Sequence, residues 1–236
     1  MLLTIQNPKT RKGEAQGWLT AVLHLAPHTE AGGLSVCPKS TPGCRVGCLF
    51  RAGRGGIMKA GETTNLVLRA RVRRTLQYQD NPSAFTISLV AEIQAMQKHA
   101  RKRGLELAVR INGTSDLPAL ARRVAELCPD VVFYDYTKIP GALKPGPVHY
   151  TFSASESNGP DTLRAMYRGF NVAVVFSTKR GHPLPKHWPL AGGTFYYPVI
   201  DGDMSDLRFL DPPRVIVGLR AKGPAKRDRT GFVVRV

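Results

Sequence analysis

No stretch of the 236 residues approaches the ~20 consecutive apolar residues that a membrane-spanning helix needs. The opening, MLLTIQNPKTRKG, turns polar before the apolar region of a signal peptide can develop. A cytoplasmic protein with no membrane partner is expected. Acidic residues are also scarce, 17 Asp and Glu against 34 Lys and Arg. The resulting charge of +17 exceeds what solubility requires and points to a polyanionic partner, nucleic acid or a nucleotide. Cysteines number only four, but Cys37, Cys44 and Cys48 fall within twelve residues. In a reducing compartment clustered thiols seldom form disulfides, and three cannot pair off completely, so metal binding becomes the leading explanation. Internal repeats and low-complexity segments are absent.

With 42% hydrophobic residues the chain can bury one substantial core. Apolar, β-branched runs predict strands at 21–26, 105–111, 131–134, 148–152, 171–176, 195–200 and 214–219, several of them continuously apolar as in a parallel sheet covered on both faces. Helical patterns alternate with them at 62–78, 84–103, 117–127 and 161–167. The expectation is an α/β protein over 1–236: a single-domain, partial (β/α) TIM-like barrel with mostly parallel strands, an open doubly wound sheet being the alternative. Residues 178–236 read as a less regular C-terminal part. It begins with a Pro- and Gly-rich loop over 178–194 and ends in an apolar FVV expected at a sheet edge.

Polar clusters follow the strand candidates one after another. Asn112, Thr114, Ser115 and Asp116 follow the second; Asp135 and Lys138 follow the third; Ser153, Ser155 and Glu156 follow the fourth. In a parallel α/β fold all of these lie at the C-terminal face of the sheet, where ligands bind, and one shared pocket is the economical inference. For any single residue an ordinary helix cap is an equal alternative, Ser115 or Asp116 for the helix near Leu117 and Ser155 or Glu156 for the next. Lys138 could donate to a carboxylate or phosphate, or simply pair with Asp135.

The cysteine loop at 37–48 follows the first strand candidate and so belongs to the same face. Its spacing is C-x6-C-x3-C, in a segment too rich in Pro, Gly and Arg for a buried strand or an ordinary amphipathic helix. A structural zinc site usually takes four protein ligands, and His24 or His28 could complete a Cys3His set. Three thiolates on an iron–sulfur cubane would instead leave one iron open to a small molecule. Arg45, Arg51 and Arg54 stand ready to offset the negative charge. Cys128, in VAELCPD, reads as a buried or helix-end thiol.

The segments CPKSTPGCRVGC, VRINGTSDLP, FYDYTK, DGDMSDLRFLDP and VGLRAKG together resemble the phage gene product eighty-eight family, from about Ser35 to the end. If phage-encoded, the chain would work in the host cytoplasm. More distantly, the layout is similar to radical S-adenosylmethionine enzymes, and NGTSDLP to a GTSDP-like strand end in the spore photoproduct lyase relatives. That resemblance implies that Cys37, Cys44 and Cys48 ligate a four-iron four-sulfur cluster whose free iron chelates the methionine end of S-adenosylmethionine. It further implies that Asn112, Thr114, Ser115, Asp116, Ser153, Ser155 and Glu156 contact the cofactor, with Asp135 and Lys138 at the reacting end and an external electron donor. The superfamily's usual C-x3-C-x2-C has shorter gaps and an aromatic residue where Gly47 stands here. The alternative is a zinc-stabilised nucleic-acid-binding protein without catalysis.

Overall fold

The computed structural model describes residues 1–5, 10–58 and 62–236. In chain order the elements are β1 (Leu3–Thr4), α1 (Thr10–Glu14), β2 (Trp18–Leu23), α2 (Pro42–Val46), α3 (Leu49–Ala52), α4 (Leu66–Asp80), α5 (Pro82–Lys102), β3 (Glu106–Arg110), α6 (Pro118–Leu127), β4 (Val132–Thr137), β5 (Val148–Ser153), α7 (Gly159–Tyr167), β6 (Val172–Phe176), β7 (His187–Pro189), β8 (Tyr196–Asp201), β9 (Ile216–Arg220) and β10 (Val233–Val234). All seven expected strands and all four expected helices are present, displaced by a few residues at their ends.

The main helix shows how local chemistry sets these bounds. In α5, Phe85, Leu89, Ile93, Met96 and Ala100 recur every three to four residues and are all buried. The Asn81 side chain caps its N-terminus by accepting from the Ala84 N–H, and Pro82 stands at the first turn, where no amide donor is needed. His99, Arg101 and Lys102 sit where the helix dipole favours positive charge, and Gly104, at φ +66°, turns the chain out.

The strands form one sheet in the order β1-β2-β3-β4-β5-β6-β9-β8-β7, with β10 paired to β6. From β2 through β8 the neighbours are parallel, while β1 and β7 are short antiparallel strands at the two ends. The sheet is therefore open, and the expectation of a TIM-like barrel is corrected to a mostly parallel open sheet. Each end strand pairs on one side only, so the two edges do not meet.

Period-two alternation divides the strand residues between two layers. Leu107, Val109, Phe133, Val148, Phe152, Val172 and Val174 join α5, α6 and α7 in the principal core. Fully burying such side chains contributes about 1.5–3 kcal/mol each. The other layer holds Ala108 and Tyr134, covered by Leu207, Trp18 and Phe209. Trp18 and Phe209 meet edge to face at 4.7 Å. The segment carrying Leu207 and Phe209 thus covers the N-terminal half of that face and leaves the C-terminal strand ends uncovered.

The C-terminal part is more ordered than its composition suggests, since it contributes β7 to β10. The FVV tail forms β10, paired on one side to β6 within the sheet and not at either of its two ends. β5 pairs with β6 only at Phe152↔Val172 and Ser153↔Ala173 before the two diverge, and β10 takes the freed side of β6 at Val175 and Phe176. That wedge brings the tail beside the cysteine segment. Among the described residues no helix is long and apolar enough to cross a membrane.

Candidate functional site

The cysteine segment folds as two single-turn helices. Thr41 caps α2, its hydroxyl accepting from the Cys44 N–H at 3.2 Å, with Pro42 in the first turn. Glu156, beyond β5, fastens this end: one oxygen accepts from the Thr41 hydroxyl and the other from the Gly43 N–H, both at 2.8 Å. A Cβ on Gly43 would stand 2.1 Å from Thr230 Oγ1 and 2.5 Å from Phe232 Cβ, so only glycine lets α2 seat against the tail. Glu156 is thereby spent on holding the loop that carries Cys44.

Cys37, Cys44 and Cys48 line one cavity of about 200 Å³ together with Asn112, Thr114, Ser115, Asp116, Lys138 and Ser153. Arg110, Tyr136 and Asp206 also line it, as do the apolar Ala173, Val175, Leu219 and Phe232. Apart from Ala173, near the start of β6, these strand residues sit toward C-terminal strand ends, so the structure brings most of the expected residues together. Asp135, Ser155 and Glu156 lie outside the cavity lining.

Several of the gathered side chains are already engaged with one another. Asn112 donates from Nδ2 to Asp135 at 3.0 Å and accepts from the Ser115 hydroxyl and the Leu117 N–H, each at 2.8 Å. The Thr114 hydroxyl donates to the Leu25 carbonyl at 2.6 Å. Asp116 accepts from the Thr137 hydroxyl and the Lys138 N–H, both at 2.8 Å. These bonds tie the end of β3 to β2 and β4, and neither Ser115 nor Asp116 is the cap of α6, whose N-cap position is Leu117 with no side-chain cap bond. Close approach is again set by glycine, since a Cβ on Gly113 would stand 2.6 Å from Val22 Cγ1 and 2.7 Å from the Leu23 carbonyl.

Lys138 does not pair with Asp135. Its ammonium lies over the Phe232 ring at 5.9 Å, and among the described residues no carboxylate forms an ion pair with it. Asp135 lies 3.9 Å from Arg110 and is buried. Ser155 Oγ is buried without a hydrogen-bond partner, as is Ser40 Oγ on the cavity wall. The acids of the DGDMSD segment are not gathered as a cation site: Asp201 pairs with Arg220 at 2.8 Å, and Asp203 with Lys222 at 2.5 Å.

The thiols influence one another. Burial pushes Cys37 up to about 11, with smaller upward contributions from Cys48 and Cys44 and an opposing one from the His28 N–H, 3.4 Å from its sulfur. Cys48 is also raised, by burial first and by Cys44 in addition, while Arg71 and Lys138 act to lower it. Among the described residues no three His, Cys, Asp or Glu side chains are gathered tightly enough to hold a single ion. His24 and His28 therefore do not complete a compact Cys3His set. Cys128 packs into the principal core.

A family model described as gene product 88 matches residues 1–236. The chain belongs to the gene product 88 family. No curated protein and no solved structure matches it. The match covers the whole chain, and within this gene product 88 fold the cysteine segment, the VRINGTSDLP strand end and the VGLRAKG strand end all line the cavity.

Two positively charged members of the site escaped the sequence reading. Arg71, from the arginine run of α4, stacks on Phe50 at 5.2 Å, and its charge bears on Cys48. Nothing in the run singles it out, since Arg69 and Arg73 of the same helix are exposed. Arg110 stands as the one positive charge in the run LELAVRI. Of the arginines expected near the thiols, Arg45 donates to the Ser40 carbonyl and Arg51 pairs with Glu30, while the Arg54 side chain lies outside the described residues.

The Glu156 clamp gives a direct expectation. Glu156→Gln keeps one acceptor but turns an N–H toward another donor, costing about 1–3 kcal/mol locally. Hydrogen exchange at residues 41–48 is expected to speed up by about tenfold with little change in the strands. Unchanged exchange there would contradict the clamp.

Proposed function

We propose that the chain is an iron–sulfur enzyme of the radical S-adenosylmethionine type that acts on nucleic acid or a nucleotide. The observation that carries this reading is three thiols lining one cavity, spaced too widely, among the described residues, to close on a single ion. Structural zinc takes four protein ligands in a tight tetrahedron, with sulfurs about 3.8 Å apart at the usual Zn–S length. A cubane spaces its ligands more widely and with three thiolates keeps one iron free. The donor set fits the cluster better than zinc.

Cys37, Cys44 and Cys48 would hold the cluster. Arg71 and Lys138 bear on Cys48 and would offset the negative charge that thiolate ligation brings. When bound and reduced by an external electron donor, the cluster supplies reductive cleavage of the sulfonium and release of a 5′-deoxyadenosyl radical. Lys138 and Ser153, which line the cavity and are not engaged in the Asn112–Asp116 network, are the groups left to orient an anionic or hydroxylated ligand. Asn112, Thr114, Ser115 and Asp116 act one step back, by fixing the strand ends around it.

Nucleic acid as substrate rests on charge placement as well as on the total of +17. Lys226, Arg227 and Arg229 are exposed just past the C-terminal end of β9, on the face that carries the cavity. Of the other basic runs, Lys98 to Arg103 ends α5 and lies at the opposite end of the sheet, because β3 begins there, while Arg69 and Arg73 are exposed on α4 beside Arg71. The tail cluster would guide a phosphate backbone toward the thiols.

The test is cofactor cleavage. Anaerobically reconstituted and reduced protein is expected to form 5′-deoxyadenosine from S-adenosylmethionine. Cys44→Ser is expected to abolish this while the protein stays folded, because Cys44 lies outside the principal core. A Cys44→Ser protein that unfolds, together with stoichiometric zinc in the parent, would overturn the reading in favour of a structural metal.

A further inference from the structure

Arg110 is a buried cation of the cavity whose internal contacts leave a donor unmet. It stands at the end of β3 in the cavity lining, only 13% of its side chain is exposed, and its Nε is buried with no hydrogen-bond partner. Its nearest carboxylate oxygens, on Asp135 at 3.9 Å and Asp206 at 3.8 Å, lie beyond hydrogen-bonding distance. A guanidinium carries five donors in a rigid planar fork, and burying such donors unmet is costly. The Tyr136 ring lies 4.5 Å beneath the guanidinium carbon and holds its plane. A group this well positioned and this poorly satisfied is built to meet a ligand.

Two observations narrow the ligand's chemistry. Asp135 and Asp206 already flank the guanidinium, so a phosphate or carboxylate entering here would face two acidic groups. A neutral edge with two adjacent acceptors would take the same N–H groups without adding negative charge. The same cavity is also lined by small or branched apolar side chains, Ala173, Val175 and Leu219, which suit the face of a planar ring. Among nucleobases, guanine presents two neighbouring acceptors, O6 and N7, whereas adenine sets a donor beside N7 and cytosine offers a donor.

We propose that Arg110 reads the O6/N7 edge of a guanine base lodged in this cavity, so that the substrate class is a guanine nucleotide or a guanine displaced from a nucleic acid. The inference takes from the preceding reading only that the site accepts a nucleotide; it requires no iron. A base must leave its stack to reach such a wall, which agrees with chemistry performed on single-stranded or extruded nucleotides.

Calorimetric titration of the full-length, metal-free protein with GMP, AMP, CMP and UMP at fixed salt tests it. GMP is expected to bind about 5- to 150-fold more tightly than AMP, the range a bidentate arginine–guanine contact supports. 7-Deaza-GMP, which lacks the N7 acceptor, is expected to lose most of that advantage, and inorganic phosphate is expected not to compete. Arg110→Gln is expected to level GMP and AMP. Should that variant fail to fold, the 7-deaza comparison on the unaltered protein decides. Equal affinity for the four nucleotides, no effect of the missing N7, displacement by phosphate alone, or no GMP binding would each overturn the proposal. Guanine preference in a protein that takes up no iron would sink the cluster reading alone; iron uptake without guanine preference would sink this one alone.

Discussion

Asn112→Ala is expected to lower the unfolding free energy by about 3–5 kcal/mol, more than the removal of any other hydroxyl or amide at the site. Asn112 is 2% exposed and spans two strand ends. Its truncation strips a hydrogen bond from the buried Asp135 carboxyl group and leaves the Leu117 N–H, at the head of α6, without its acceptor. Each lost hydrogen bond contributes about 1 kcal/mol, and a buried group left unmet adds about 1–3 kcal/mol of desolvation cost. Ser115→Ala, which removes only one donor to the same amide, is expected to cost about 1 kcal/mol. Urea denaturation of the two variants checks the contrast. Equal, small shifts would mean that the Asn112–Asp135 link does not hold the strand ends together.

The second large effect is a pair of opposed pH dependences. Burial raises Asp135 to about 7 despite the nearby Arg110 and two hydrogen bonds from Asn112. Between pH ~4 and 7 the folded chain therefore binds more protons at this site than the unfolded chain, and stability falls as pH rises. Burial lowers His24 to about 3, with Arg71, Arg110 and Arg74 adding to the shift. Between pH ~3 and 6.5 the unfolded chain binds the extra proton, so this site makes stability rise with pH. From pH ~4 to 6.5 the two slopes oppose, each at most about 1.4 kcal/mol per pH unit.

The difference between variants isolates each slope. Relative to the parent, His24→Gln is expected to show stability that declines toward neutral pH, and Asp135→Asn stability that climbs. Melting temperatures recorded across pH 4 to 6.5 give both curves. Parallel curves for all three proteins would show that neither group is held in its neutral form by burial.

The elements legible in the sequence were those with a periodic apolar signal. The β3 run LELAVRI and the β6 run NVAVVF are buried on both faces and could hardly be anything but inner strands. β1 and β10 are only two residues long, too short for any pattern, and their partners are chosen by geometry far along the chain. Barrel or open sheet was undecidable for the same reason. Closure depends on whether β1 and β7 meet, and no local preference of Leu3–Thr4 or His187–Pro189 encodes that.

At the site, the common end shared by the polar clusters was readable, because every parallel strand must deliver its following residues to one face. Which side chains face inward as ligands and which tie the loops together was not. Asn112 meets Asp135 across a strand pairing, and Glu156 reaches Gly43 over a gap of more than a hundred residues. The thread TP before Gly43 did carry a cap signal, but its Gly and Arg content masked the single helical turn that Thr41 and Pro42 start.

The most direct measurement is the iron, acid-labile sulfide and zinc content of the protein purified without oxygen. The account expects about four iron and four sulfide per chain, with a brown thiolate-to-iron absorbance that disappears in Cys44→Ser. One zinc per chain with neither iron nor sulfide would contradict it.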